Sequence, residues 1–311
     1  MDLEKSQYIE RLIVNYEEII TRKKLGTVQD NEVLKAITRS MSFGILETNY
    51  DVWLDECFLH EDWQKWNDLI FQQMRHDLLP GCEGGYDHCR NFLNALEALA
   101  CGDNETMERI LPSELGVTKN GYPFYVVMSN LLMAMWYRDE ILLPKALEAA
   151  VKFVGTKKPQ WERSGAAFLL SLHKEDVKAM GMHLQNVCSG YMRADFSKAL
   201  KRLCLPAHGL YSLAQNILPT EIFQQIKMPE HKSFSQGFAK WRNENPQPRL
   251  NLYFEYPAPL EVINKIHMAP VAKSIISQPY IHSDNPYHSP QLKKKWSLDE
   301  QAMLIAFVEN M

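Results

Sequence analysis

Five potential metal ligands, His60, His76, Cys82, His88 and Cys89, fall within thirty residues of one another. A structural zinc site needs converging ligands, and its sequence mark is ligand pairs two to four residues apart on both sides of the site. Only His88 and Cys89 are close here, and neighbouring helical residues point about 100° apart. The set does not read as a metal centre. Nucleophilic catalysis fares no better, since the chain holds no G-x-S-x-G elbow, no caspase-like or papain-like cysteine context and no H-E-x-x-H. Cys101 and Cys188 stand before Gly102 and Ser189-Gly190, at expected helix C-termini, where the dipole disfavours a thiolate. Gly84-Gly85 lacks both the lysine and the preceding strand of a phosphate loop. Glu162 and Glu175 have the chemistry of general acids, but any soluble helical protein offers such carboxylates. No catalytic residue, metal ligand or cofactor is assigned, and the chain is not expected to be an enzyme.

Acids beside aromatic residues are the more informative pattern. From Glu47 to Asp68 there are seven acids and one base, with Trp53, Trp63 and Trp66 among them. On one reading the tryptophans are core and the acids solvate the outer face. On the other, Asp51, Trp53, Asp55, Glu56, Glu61 and Asp62 form a partner-binding surface, with acids at the rim and an exposed tryptophan as anchor. The Tyr280 to His288 segment is the runner-up surface. Residues 1–112 carry 21 Asp and Glu against 11 Lys and Arg, whereas the remainder carries 17 against 23, for a net charge of −4. The acidic half suits a basic protein partner, because opposite fields speed encounter and penalise wrong partners. No basic stripe is visible, which argues against nucleic acid as the direct ligand.

The elements that must position these residues read as helices. Residues 3–24 place Leu3, Tyr8, Leu12, Ile13, Tyr16, Ile19 and Ile20 on one face, and Val33, Ile37, Met41 and Ile45 follow at the same spacing. Residues 50–79 read as two helices broken near His60, and 80–85 as a loop. Trp161 to Val187 reads as a central hairpin, an Ala/Leu-rich helix followed by one that Asp176 caps. A weak repeat accompanies it. Asp103, Asp139 and Asp176 are 36 and 37 residues apart, and each is placed to start the second helix of a hairpin. Beyond Leu205 the chain is proline-rich and loop-rich, with one strand-like run at Arg249 to Tyr256 and a Ser297/Glu300 capping box before a last helix.

The expected fold is therefore all-α, a solenoid-like bundle of stacked helical hairpins forming a single domain over 1–311. Its parts are acidic helices at 1–80, a hairpin core at 86–245, and a loop-rich segment with a terminal helix at 246–311. The N-terminus has the wrong charge for a signal peptide, and the most apolar run, Tyr122 to Tyr137, is 16 residues where a membrane span takes about 20. Six scattered cysteines without an export signal read as reduced thiols of a cytoplasmic protein. A homo-oligomer is not indicated.

Several segments resemble immunity protein family 49, all-helical proteins encoded beside bacterial polymorphic toxins. The resemblance is carried by Arg163-Ser-Gly-Ala-Ala-Phe-Leu-Leu-Ser-Leu172 with Asp176, His208-Gly-Leu-Tyr-Ser-Leu-Ala214, Phe238-Ala-Lys-Trp-Arg242 and Tyr256-Pro-Ala-Pro-Leu260. Leu99-Ala-Cys-Gly-Asp103 fits the same style. The match spans roughly residues 90–260 and leaves the acidic N-terminal 80 residues and the tail after Pro270 uncovered. It implies a cytoplasmic antitoxin that binds one cognate toxin domain, such as a nuclease, and occludes its active site or substrate access. No catalytic or binding residue transfers with it. A helical-repeat interaction scaffold and an all-α enzyme or ligand-binding domain are the alternatives.

Overall fold

Apolar residues at helical spacing build fourteen α-helices in the computed structural model, which describes residues 2–22, 31–46, 53–54, 56–57, 60–81, 85–198, 200–278 and 295–311. The acidic N-terminal part supplies α1 (Asp2–Arg22), α2 (Asn31–Ser42) and α3 (Trp63–Asp77), the last beginning just after a bend at His60. Three hairpins follow: α4 (Phe92–Cys101) with α5 (Asn104–Ile110), α6 (Pro123–Trp136) with α7 (Leu143–Val154), and α8 (Gln160–His173) with α9 (Val177–Tyr191). Then come α10 (Leu205–Ile217), α11 (Thr220–Phe223), α12 (Gln236–Glu244), α13 (Glu261–Met268) and α14 (Glu300–Glu309). Two-residue strands β1 (Ile276–Ser277) and β2 (Ser297–Leu298) pair antiparallel.

The aspartate repeat is a repeat of turn geometry. The residue before each Asp is left-handed: Gly102 at φ 82°, Arg138 and Glu175 at φ 54°. Each Asp N–H then donates to the carbonyl five residues upstream, Asp103 to Ala98 at 2.8 Å, Asp139 to Ala134 at 2.9 Å and Asp176 to Ser171 at 3.0 Å. These bonds satisfy carbonyls that the ending helix would otherwise orphan. Each Asp carboxylate next accepts backbone N–H groups ahead of the second helix: Thr106 at 3.1 Å, Ala179 at 3.0 Å, and both Ile141 and Leu142 at 2.9 Å. One residue thus ends one helix with its backbone N–H and starts the next with its carboxylate in all three hairpins.

The stack does not stay open. Its central helix α8 packs on α6, α7, α9 and α10, and α10 returns to lie across α4. Small residues permit these approaches. A Cβ on Gly209 of α10 would stand 2.7 Å from the Leu96 Cα of α4, and one on Gly190 of α9 would stand 2.6 Å from the Trp161 N of α8. The contact is backbone on side chain or backbone on backbone, so no larger residue fits. A single cluster of buried residues runs from Tyr8 to Val308, and α14 seals it by packing on α2. Cys57, Cys89, Cys101, Cys188 and Cys204 are free and buried within the protein.

Two expectations in the C-terminal third are corrected. Arg249 to Tyr256 forms no strand. Its backbone is taken up by two glutamines of α3 eight residues apart, which share one helix face. Gln64 Nε2 donates to the Arg249 carbonyl at 2.8 Å, and Gln72 both donates to the Phe254 carbonyl at 3.0 Å and accepts its N–H at 2.9 Å. The alternation of Leu250, Leu252 and Phe254 reflects a single extended segment pressed against a helix. The last helix is capped by Asp299, which accepts the Ala302 N–H at 2.9 Å, while Ser297 lies in β2. The Ser297/Glu300 capping-box pattern placed the cap two residues early.

Candidate functional site

The acidic stretch chosen from sequence divides. Asp51 and Asp55 lie outside the described residues, as does the whole runner-up segment 280–288. Trp53 is core, 3% exposed, stacked on Phe254 at 5.0 Å and edge-on to Tyr8 at 6.4 Å. It cannot anchor a partner, so that expectation is corrected: the aromatic pocket made by the Tyr253-Phe254 segment claims it. Trp66 is buried too, its indole N–H donating to the Cys57 carbonyl at 2.8 Å. Glu56 is half-buried beside Tyr253. Glu61 and Asp62 are exposed, and Asp62 already caps α3 by accepting the Lys65 N–H at 3.2 Å.

Cys82 lies outside the described residues, and the described potential metal ligands disperse. His76 Nδ1 meets His267 Nε2 at 3.4 Å, His88 meets the Gly116 carbonyl at 3.2 Å, and the Cys89 thiol faces the Asn120 carbonyl. Among the described residues, no three His, Cys, Asp or Glu side chains gather as a metal site.

What the fold does bring together is a pair of carboxylates. Asp77 ends α3 and Glu97 sits in the middle of α4, and both line a cleft of about 290 Å³. Leu78, Leu93, Ile110, Ala272, Leu298 and Met303 make its walls apolar. The other polar residues at the cleft are engaged elsewhere. Arg90 Nη1 pairs with Glu300 Oε1 at 2.8 Å, Glu300 Oε2 accepts the Gly81 N–H at 3.1 Å, and Asn91 donates to Ser274 Oγ at 3.2 Å. Glu97 accepts one hydrogen bond from Asn94 at 3.1 Å, and among the described residues no cation is ion-paired with Glu97 or Asp77.

That arrangement holds protons. Burial raises the affinity of Glu97 for a proton, and the Asp77 charge raises it further. Asp77 keeps solvent contact at the mouth, yet the walls crowding its carboxyl raise it as well. Two carboxylates in one cleft cannot both ionise cheaply. The pair can therefore relieve itself by retaining a proton or by taking in a cation, and a cation that enters displaces the proton.

Sequence reasoning passed over both residues, although each was an anomaly. Asp77 is an acid in the last turn of a helix, the end at which the dipole favours cations. Glu97 is the only charge in Phe92–Cys101, whose other residues are apolar apart from Asn94. Charge density drew attention to 47–68 instead, where Glu61 and Asp62 are exposed and Asp68 is buried. No family model, no curated protein and no solved structure matches the chain.

Proposed function

We propose that the chain is an immunity-type inhibitor, which binds a cognate toxin domain and receives one of its basic side chains in the Asp77–Glu97 cleft. The observation that carries this reading is the convergence of the segments that carry the family resemblance. Arg242 Nε donates to the Ala100 carbonyl at 3.0 Å and its guanidinium fills the space where Gly102 has no side chain. His208 accepts the Ser235 N–H at 3.2 Å, stacks on Phe234 at 4.1 Å and meets Phe238 edge-on at 5.4 Å. Phe168, Leu169 and Leu172 lie in the same core. Positions more than a hundred residues apart thus interlock around α4, α8, α10 and α12, which is consistent with the resemblance residing in the scaffold. They build the scaffold and leave binding to other surfaces.

The cleft supplies the chemistry of recognition. A lysine or arginine inserted between the two carboxylates would exchange repulsion for attraction inside apolar walls, where charges interact strongly. A carboxyl that keeps its proton near neutrality also has the character of a general acid. Catalysis, however, requires polar groups free to hold a substrate, and here Arg90, Glu300 and Asn91 are already committed. The test is co-expression with the C-terminal domain of a toxin encoded beside this gene. Rescue of growth by the full chain supports the reading; a toxic neighbour that is neither neutralised nor bound refutes it.

A further inference from the structure

The cleft of Asp77 and Glu97 has an aromatic rim. Among the described residues, the phenylalanine, tyrosine and tryptophan side chains left exposed are Phe43, Tyr86 and Trp296, at 55, 39 and 50%. They come from three separate parts of the chain, and all three border this cleft. Trp296 stands two residues before Leu298, a cleft wall, which in extended chain is roughly 7 Å. The Tyr86 carbonyl accepts the Leu298 N–H at 2.8 Å. Phe43 follows Ser42, whose hydroxyl would stand 2.8 Å from a Cβ on Gly81, and the Gly81 N–H donates to Glu300 at the cleft.

Hydrogen bonds hold the backbone that carries these rings. Asn120 Nδ2 donates to the Gly85 and Trp296 carbonyls, both at 2.8 Å, and Asp87 holds Asn120 in turn by accepting its backbone N–H at 2.8 Å. The Phe43 N–H stays tied to the Arg39 carbonyl of α2 at 3.1 Å. Little backbone freedom is then left to lose on binding. Aromatic side chains on such a frame have the character of interface anchors, since each offers a large apolar area with few rotamers. Apolar residues exposed singly are ordinary on any surface, whereas rings grouped around one acidic hollow mark a place of contact.

We infer that Phe43, Tyr86 and Trp296 dock a protein segment in which one lysine or arginine is flanked by apolar residues. The basic side chain enters the cleft and its apolar neighbours lie over the rings. This rests on the reading that the cleft receives a basic side chain, and adds the sequence recognised around it. Lys295 is exposed beside Trp296 and repels a second cation there, so the flanking residues are uncharged. Nucleic acid or an anionic lipid surface would bring phosphates against the two carboxylates. A second copy of the chain meeting the same face would set the two carboxylate pairs against each other.

The test is calorimetric titration of the full chain at pH 7 with the peptide acetyl-Gly-Leu-Arg-Leu-Gly-amide. Saturable binding with a Kd below ~1 mM is expected, at least fivefold weaker for the counterparts with Ser-Arg-Ser or Leu-Gln-Leu at the centre. Trp296→Ala and Phe43→Ser should each weaken it at least threefold, and Ile141→Ala, exposed on another hairpin, should not. Circular dichroism and melting of each variant establish that it is folded. The inference is overturned if the wild-type chain does not bind the peptide, if spermine or the Ser-Arg-Ser peptide binds as tightly, or if folded Trp296→Ala keeps the wild-type affinity. Weakening by Asp77→Asn with Glu97→Gln but not by Trp296→Ala would remove the aromatic rim and leave the cleft reading standing. Rescue from a toxin by a chain that fails the peptide test would likewise separate the two.

Discussion

Arg75 and Asp103 offer the sharpest test of how the acidic half is joined to the hairpin stack. Arg75 of α3 reaches Asp103, the first aspartate of the repeat, at 2.8 Å, and the two side chains are only 10% and 4% exposed. Arg75 also donates to the Ala269 carbonyl at 2.7 Å and lies over the Phe71 ring at 4.9 Å. Asp103 accepts the Thr106 N–H and, at 2.6 Å, the Thr106 hydroxyl. Asp103→Asn removes the charge and keeps the cap, leaving a buried guanidinium unpaired. Breaking one partner of a buried pair costs about 3–5 kcal/mol, and the retained Ala269 and Phe71 contacts place this variant near 3. Arg75→Met leaves a carboxylate that Thr106 still serves twice, at about 2 kcal/mol. The double variant buries neither charge, so it should cost less than the sum, with a coupling energy of about 2 kcal/mol. Urea unfolding of the four proteins at low and high salt measures this, and burial makes the coupling nearly independent of salt. A coupling below ~0.5 kcal/mol, or one that disappears with salt, would mean that the pair is solvated and does not tie α3 to the stack.

Two titrating systems should give opposite pH signatures. Burial depresses His208 to about 3 and His76 to about 4, and it also lowers His267, beside His76 and Arg75. The unfolded chain therefore binds these protons first, and stability present above pH ~6.5 should fall as pH drops toward 4, by up to about 1.4 kcal/mol per unit and histidine. Denaturant midpoints across that range check it; a flat profile contradicts it. Asp77 and Glu97 are raised, so their contribution is favourable at low pH and is lost as pH rises through their folded values. Glu97→Gln should stabilise the protein at pH 8 and change little at pH 4, and a uniform effect would show that burial and Asp77 do not raise the proton affinity of Glu97. Gly209→Ala should cost about 3 kcal/mol or more, because the backbone of α4 cannot yield as a side chain would. Thermal unfolding measures this, and a cost below ~1 kcal/mol would place α10 farther from α4. Glu175→Gly should stabilise by about 0.5–1 kcal/mol, since a non-glycine residue holds a left-handed turn there. No gain on melting would show that the turn carries no conformational cost.

The helical fold was legible because its signal is periodic. Apolar spacing located α1, α2 and the α8–α9 hairpin to within a few residues, and the spacing of Asp103, Asp139 and Asp176 marked three equivalent turns. The left-handed residue in those turns was not legible, since only Gly102 announces it and Arg138 and Glu175 do not. The run 249–256 misled because alternation reports burial on one side without saying what does the burying. A row of glutamines on α3 does so here, and Gln64 and Gln72 are 185 and 182 residues from the groups they bind. Trp53 misled for a related reason: acids in its neighbourhood say nothing about the ring of Phe254. The charged cleft was the least legible. Asp77 and Glu97 are twenty residues apart with a 3-10 turn between them. Chain distance hides such groupings, whereas an acid at the wrong end of a helix or a lone charge among apolar residues hints at them.

Titration calorimetry of the full chain with the C-terminal domain of a neighbouring gene's product, should that product prove toxic, run at pH 7 in two buffers of different ionisation enthalpy, tests the proposed toxin binding and the role of the cleft together. Insertion of a basic side chain between Asp77 and Glu97 should give a tight complex that releases protons. Asp77→Asn with Glu97→Gln should weaken that complex by ~2 kcal/mol or more, about thirtyfold in Kd, and abolish the proton release. Failure of the wild-type chain to bind a toxic neighbour would contradict the immunity reading, and tight binding without proton release, unaltered in the double variant, would place the interface away from the cleft.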